Sequence, residues 1–352
     1  MTQAAAAVAR EKPSDEPGDG PVVVTGGAGF IGSELTRQLV EGGRDVVVVD
    51  SLVNGRRENL AGVEGPRCTL RTDDVRDEAA MAEALRGAAV VFHLACLGVR
   101  HSLHSPRENH DVNATATLTL LKLARAAGVE RFVQVSTSEV YGTALRVPMG
   151  EDHPTCPLTV YGASKLAGES YARAFLATGG LPTVVVRPFN AYGPRCHHEG
   201  DSGEVIPKFL LRAMAGRPLV VFGDGTQTRD FTFVSDTAAG IAAAGFAPGA
   251  VGATINLGSG HSVSINALAQ QVALMAGRSV EVVHDLPRPG DVHDLRADAS
   301  RAAALLGYAP SVSMVDGLRR LRQWYEESGV PIERLLEQEV VRNWEGSARV
   351  DV

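Results

Sequence analysis

Val22-Val23-Val24-Thr25-Gly26-Gly27-Ala28-Gly29-Phe30-Ile31-Gly32 runs from a short β-branched stretch straight into glycines spaced G-x-x-G-x-x-G, at Gly26, Gly29 and Gly32. The apolar run reads as a buried strand, and the amphipathic stretch Ile31–Glu41 after it as a helix. A glycine turn between the two makes a tight bend, brings backbone N–H groups up to a pyrophosphate and lets the helix pack on the sheet. Gly26, Gly29, Phe30, Ile31 and Gly32 are therefore candidate dinucleotide contacts.

The same alternation continues outward from this stretch. Val46–Asp50, Val90–Leu94, Phe132–Ser136 and Thr183–Arg187 read as further strands, and Glu78–Arg86, Val112–Ala127 and Tyr161–Ala177 as helices between them. Asp45-Val-Val-Val-Val-Asp50 is continuously apolar between its acidic ends, as a strand buried on both faces must be. The pattern predicts an α/β chain with a Rossmann-type, doubly wound parallel sheet over residues 21–190. Beyond it the sequence is richer in Gly and Pro, with helices expected at Val205–Ala215, Ile265–Ala276 and Met314–Glu327. Residues 191–330 read as a smaller C-terminal substrate-binding part from which some strands return to the main sheet. Residues 1–20 read as a disordered leader and 331–352 as a C-terminal tail.

Composition narrows the function classes. The chain has 352 residues, 44% of them hydrophobic, and a formal net charge of -7 with its basic residues scattered. That excludes the electrostatic footprint of a nucleic-acid or anionic-membrane binder. No apolar run approaches the ~20 residues of a membrane span. Cys68, Cys96, Cys156 and Cys196 show no CxxC spacing and read as reduced thiols of a cytoplasmic protein. His197-His198, beside Glu199 and Asp201, matches no ligand spacing, so no metal is expected.

Asp50 ends the second strand, 18 positions after Gly32, where a carboxylate accepts hydrogen bonds from an adenosine ribose and favours NAD over NADP. Arg56 and Arg57 read as surface charge. Asp74 and Val75 fall near the end of a third strand, and Leu94 and Ala95 at the end of the fourth, completing the expected cofactor contacts. His93 beside them reads as a satisfied structural histidine.

Tyr161 and Lys165 stand four apart on a predicted helix, so they share a face, and an ammonium there lowers the pKa of the phenol. Such a phenol removes a proton from a hydroxyl while a nicotinamide accepts the hydride. Thr137 follows the strand Phe132–Ser136 into the same crevice.

These motifs resemble the extended short-chain dehydrogenase/reductases that modify nucleotide sugars. The resemblance rests on TGGAGFIGS (25–33), DSLVNGRRENL (50–60), HLA (93–95), STSEVYG (136–142), YGASK (161–165), RPFNAYGPR (187–195), FGDGTQTRDF (222–231) and RPGDV (288–292). It implies tightly bound NAD⁺, oxidation at C4 of the sugar with Tyr161 as base, Lys165 on the nicotinamide ribose and Thr137 at O4. It implies Asn190, Arg229 and Arg288 on a nucleotide diphosphate, UDP favoured, and a homodimer joined through the helices at 112–127 and 161–177. Thr-Ser-Glu at 137–139, with Ser138 and Glu139 added to the catalytic set, resembles the UDP-glucuronate decarboxylases, as does the loop carrying Arg195. Decarboxylation therefore leads, with Arg100 or Ser138 on the C6 carboxylate. Asp230 and Gly98-Val99-Arg100-His101-Ser102 resemble epimerases and dehydratases, so 4-epimerisation and dehydration are the alternatives. An NAD-sensing regulator on the same fold is a non-enzymatic alternative, against which the retained Thr137, Tyr161 and Lys165 speak.

Overall fold

The computed structural model describes residues 17–277, 280–288 and 292–344. Most of the expected leader (1–16), the end of the tail (345–352) and three residues of the RPGDV motif (289–291) lie outside the described residues.

Seven strands form the central sheet: β1 (Val22–Thr25), β2 (Val46–Val49), β3 (Cys68–Arg71), β4 (Val90–His93), β5 (Arg131–Val135), β6 (Thr183–Pro188) and, far later in the chain, β10 (Thr254–Leu257). Their order across the sheet is β10-β6-β5-β4-β1-β2-β3, and every pairing is parallel. Strand order reverses between β1 and β4, the place where open α/β sheets bind ligands at strand C-termini.

The valine runs explain the layering. Val22 and Val24 point into one core with Leu35, Leu39, Ala238, Ile241 and Ala244, while Val23 points into the other with Leu120, Leu121, Ala124 and Ala172. Helices Phe30–Glu41 and Val234–Phe246 thus cover one face, and Glu78–Ala84, Ala116–Ala127 and Val160–Gly179 the other. The expected helix Val112–Ala127 begins as a π-helical turn at Asp111–Thr115 and becomes regular at Ala116. The helix Val234–Phe246 is Ala- and Gly-rich, so it carries no clear amphipathic stripe for sequence reading to find.

The smaller part has its own core, with Phe209, Leu210, Leu219, Val221, Phe231, Phe233, Leu268, Leu318 and Leu321. It is framed by helices Val205–Met214, Ile265–Ala276 and Met314–Glu327 and by two small sheets. One sets β9 (Thr228–Phe233) between β11 (Ser262–Ser264) and β7 (Asn190–Tyr192), and the other pairs β8 (Leu219–Phe222) with β12 (Val282–Asp285). Residues 331–344 are not a free tail: Ile332–Leu336 is helical, and Leu336 is buried in this core.

Candidate active site

A cavity of about 860 Å³ opens along the C-terminal ends of β1, β2, β4 and β5 and extends into the smaller part. Its wall includes Gly26, Gly29, Phe30, Ile31, Gly32, Asp50, Asp74, Val75, Leu94 and Ala95 at one end. Thr137, Ser138, Glu139, Tyr161 and Lys165 lie along it, and Arg100, Asn190, Arg229 and Arg288 line the side facing the smaller part.

The glycine turn is shaped for close backbone approach. Gly26 has φ +72°, and a Cβ there would lie 2.7 Å from Ala95 N; a Cβ at Gly32 would lie 2.1 Å from Gly26 O. The helix Phe30–Glu41 starts with no side-chain cap and no acidic residue in its first turn, so its N–H groups and the positive end of its dipole face the cavity. At the end of β2, Asp50 accepts hydrogen bonds from Ala28 N and Leu52 N, both 2.9 Å, while burial raises its pKa. Arg56 is paired with Glu199 at 2.7 Å and Arg57 with Glu64 at 2.8 Å, so neither is turned toward a ribose 2′-phosphate. Asp74 pairs with Arg76 at 2.6 Å on the rim. An uncapped helix start beside a carboxylate fits a dinucleotide carrying a free ribose diol, which is the NAD pattern.

Three local devices set the reacting groups. Thr159 caps the helix Val160–Gly179 by accepting from Gly162 N at 3.1 Å, which fixes Tyr161 in the first turn. Lys165, one turn on, is buried and donates to Val135 O at 2.6 Å, tying the helix to the end of β5. Two residues past that carbonyl, Thr137 accepts from Glu139 N at 3.2 Å, and its hydroxyl faces the Tyr161 phenol closely enough to act on it. Burial and the nearby Cys96 hold the phenol well above the usual tyrosine pKa, with Glu139 and Glu204 adding to the rise and Thr137 opposing it. Burial pulls Lys165 down. The expectation that the Tyr161 pKa is lowered is thus corrected: burial and neighbouring acidic groups raise it in this arrangement.

Two sequence candidates fall elsewhere. Arg195 does not line the cavity; its guanidinium is paired with Glu34 on the first helix and is largely buried there. Asp230 is fully buried and accepts from Ser259 N (2.8 Å), Ser259 Oγ (2.6 Å), Gly260 N (3.0 Å) and Ala297 N (3.0 Å), so it fastens loops and touches no ligand. His93 is satisfied on both nitrogens, by Thr25 Oγ1 at 2.7 Å and Thr117 Oγ1 at 2.9 Å. Thr117 donates to Asn113 O, so the His93 Nε2 proton points at Thr117 and Nδ1 accepts from Thr25. Among the described residues no cluster of His, Cys, Asp and Glu is arranged to hold a metal.

Sequence reading missed Cys96, Glu204 and Lys208, all on the cavity wall. Glu204 lies 3.5 Å from Arg100 and acts electrostatically on Tyr161. Lys208, one turn further along the helix Val205–Met214, is pushed down to about 8 by burial and by Arg100. The Glu204-x-x-x-Lys208 spacing was visible, but nothing in it said which way the face would turn.

A strand-turn-helix cradle for a dinucleotide, with a Tyr–Lys–Thr set at the sheet's C-terminal edge, defines a nicotinamide-dependent α/β enzyme class. Residues 22–258 match the NAD dependent epimerase/dehydratase family, and the chain belongs to it. It is similar to a putative UDP-glucose 4-epimerase of Methanocaldococcus jannaschii, 32% identical over 87% of this chain and 99% of that one. It is also similar to UDP-glucuronic acid decarboxylase 1 of Arabidopsis thaliana, 34% identical over 85% of this chain and 68% of that one. Among solved structures, the dTDP-glucose 4,6-dehydratase DesIV of Streptomyces venezuelae, with NAD bound, superposes with a TM-score of 0.81 at 35% identity, covering 87% of this chain and 97% of that one. Members of the family thus include epimerases, decarboxylases and dehydratases that act on nucleotide sugars.

Proposed function

We propose that this protein binds NAD⁺ tightly, oxidises C4 of a UDP-linked uronate and releases CO₂ from C6. The carrying observation is the pair of cations, Arg100 and Lys208, on the cavity wall beside Glu204, which itself acts on Tyr161. Arg100 Nε is buried without a hydrogen-bond partner, and with Arg212 and Glu339 also acting on Lys208, three cations face two carboxylates and leave a surplus that a substrate carboxylate neutralises. Tyr161 takes the proton from O4, and Thr137, beside it on the cavity wall, positions the same oxygen. NAD, when bound, supplies the hydride acceptor. A ketone at C4 makes the C6 carboxylate a β-keto acid, and Ser138 and Glu139, on the cavity wall, are assigned to the proton returned to C5.

Dehydration is the second reading, supported by the two carboxylates, Glu139 and Glu204, that raise the Tyr161 pKa; such a setting suits removal of a C5 proton from a neutral hexose. Epimerisation needs no second acid or base, so Glu139 speaks against it. The substrate is assigned to the smaller part, residues 191–330. A homodimer is included in the proposal, supported by exposed Leu118, Leu158 and Val160 on or next to the Ala116–Ala127 and Val160–Gly179 helices. A cytoplasmic setting is supported by four free cysteines; among the described residues no helix is long and apolar enough to cross a membrane.

Product masses from NAD-loaded protein incubated with UDP-glucuronate, UDP-glucose, dTDP-glucose and GDP-mannose test this. The uronate is expected to lose the mass of carbon dioxide, and Glu139→Gln to slow that loss by about 10²–10⁴-fold. Loss of water from a hexose establishes the second reading, and an unchanged mass at a new retention time overturns both.

A further inference from the structure

The cavity that contains Tyr161 continues past Arg229 and Arg288 to Val220 and Phe222, and there part of its wall comes from the last described stretch of chain. Glu339, Val341, Asn343 and Trp344 all line it. Four ties hold this stretch in place. Arg212 Nε meets the Glu339 carboxylate at 2.8 and 3.0 Å, with the two side chains only 13% and 7% exposed. Lys208 Nζ donates to Val340 O at 2.8 Å, and Asn343 Nδ2 to Gly203 O at 3.1 Å. Arg342 pairs with Asp285 at 2.7 Å. The stretch ends with Trp344 edge-on to Phe222, ring centroids 4.5 Å apart and planes at 85°.

We propose that residues 339–344 form a wall of the substrate site and that Trp344, with Phe222, makes an aromatic corner that receives the base of the nucleotide. The inference rests on the nucleotide-sugar reading and adds the residue that grips the far end of the substrate. Both residues line the cavity, and base–aromatic stacking is among the stronger single contacts a nucleotide makes. Position agrees with this. The reacting groups lie along the cavity, and Arg229 and Arg288, cations suited to a diphosphate, line the side facing the smaller part. Phe222 ends β8, whose partner strand β12 leads three residues on to Arg288. Because Lys208 and Arg212 sit on one helix and both hold this stretch, the wall at the base end is mechanically joined to the cations at the reacting end.

The chain has two tryptophans, Trp324 and Trp344, so emission reports the contact. UDP titrated into NAD-loaded wild type is expected to quench tryptophan emission, and Trp344→Phe to abolish that quench while its Kd for UDP stays within about threefold. Trp344→Ala is expected to raise the Kd for UDP by about tenfold or more, with NAD binding unchanged. UDP binding by Trp344→Ala as tight as wild type overturns the inference, as does a quench that persists in Trp344→Phe, or joint loss of UDP and NAD binding, which marks a folding role. Wild type that binds none of UDP, dTDP and GDP overturns the nucleotide-sugar reading itself.

Discussion

Tyr161 is flanked by Cys96, Glu139 and Glu204, and a phenol so buried holds its proton more tightly than a free tyrosine; work as a base therefore needs positive charge close by at the moment of reaction. On the proposed reading Lys165, pinned to Val135 O at 2.6 Å, supplies it. Other polar residues in the motifs do a different job. Asp230 receives its four hydrogen bonds on two carboxylate oxygens, and an amide offers only one acceptor atom. Asp230→Asn is expected to lose roughly 1–3 kcal/mol in urea unfolding while giving the same product. A changed product would return Asp230 to the substrate site. This separates what was legible in the sequence from what was not. Tyr161 and Lys165 stand on one regular helix, and Gly26, Asp50 and Thr137 one or two residues past the ends of β1, β2 and β5, so spacing from regular elements sufficed. Arg195 and Asp230 sit in equally recognisable motifs, but Arg195 is on a turn and Asp230 within the short strand β9, and what each side chain meets depends on partners distant in sequence, Glu34 for one and Ser259 and Ala297 for the other.

The helix Val160–Gly179 carries Tyr161, Lys165 and Glu169 one turn apart on one stripe. Glu169, fully buried, accepts from Ser136 Oγ at 2.6 Å, Arg187 Nε at 2.8 Å and Arg187 Nη2 at 2.6 Å, joining the helix to β6 and to the end of β5. Burial opposes its charge, but Arg187 outweighs burial and keeps the carboxylate ionised. Arg187 in turn lies over the Tyr141 ring, 4.7 Å from its centroid. Glu169→Ala leaves that guanidinium buried without its carboxylate. Loss of about 3–5 kcal/mol in equilibrium unfolding is expected, because the stranded charge costs more than the pair contributed; a loss below about 1 kcal/mol would show that water reaches Arg187. Nothing in the residue spacing signalled this network, since its members lie on three elements that only the sheet brings together.

The whole molecule couples its stability to pH through His93, beneath the cofactor end of the sheet. Burial, with the Lys165 charge second, pulls its pKa down to about 3, so the folded protein keeps the ring neutral where the unfolded chain protonates it. The unfolded state therefore binds more protons between about pH 6.5 and pH 3, and stability falls as pH drops through that window by up to about 1.4 kcal/mol per unit from this group. Urea midpoints from about pH 7 to pH 5 are expected to fall less steeply in His93→Gln than in wild type; equal slopes would assign the acid sensitivity to other groups. At the same scale, the sequence anticipated the doubly wound sheet and a return to it from residues 191–330, which β10 makes, but not that β10 is the strand nor that the helix Val234–Phe246 covers one face, because both lie far along the chain from the elements they join. The wall at 339–344 was equally hidden, as only tertiary contact brings Trp344 to Phe222.

The central claim is that the Tyr161 phenolate takes the O4 proton as hydride leaves C4. Rapid mixing of NAD-loaded protein with its nucleotide sugar, followed by reduced-nicotinamide fluorescence, tests it most directly. A transient is expected in wild type, slowed by at least about 10²-fold in Tyr161→Phe with NAD still bound. A transient of equal rate in Tyr161→Phe, or product formed by wild type without any transient, would contradict the account.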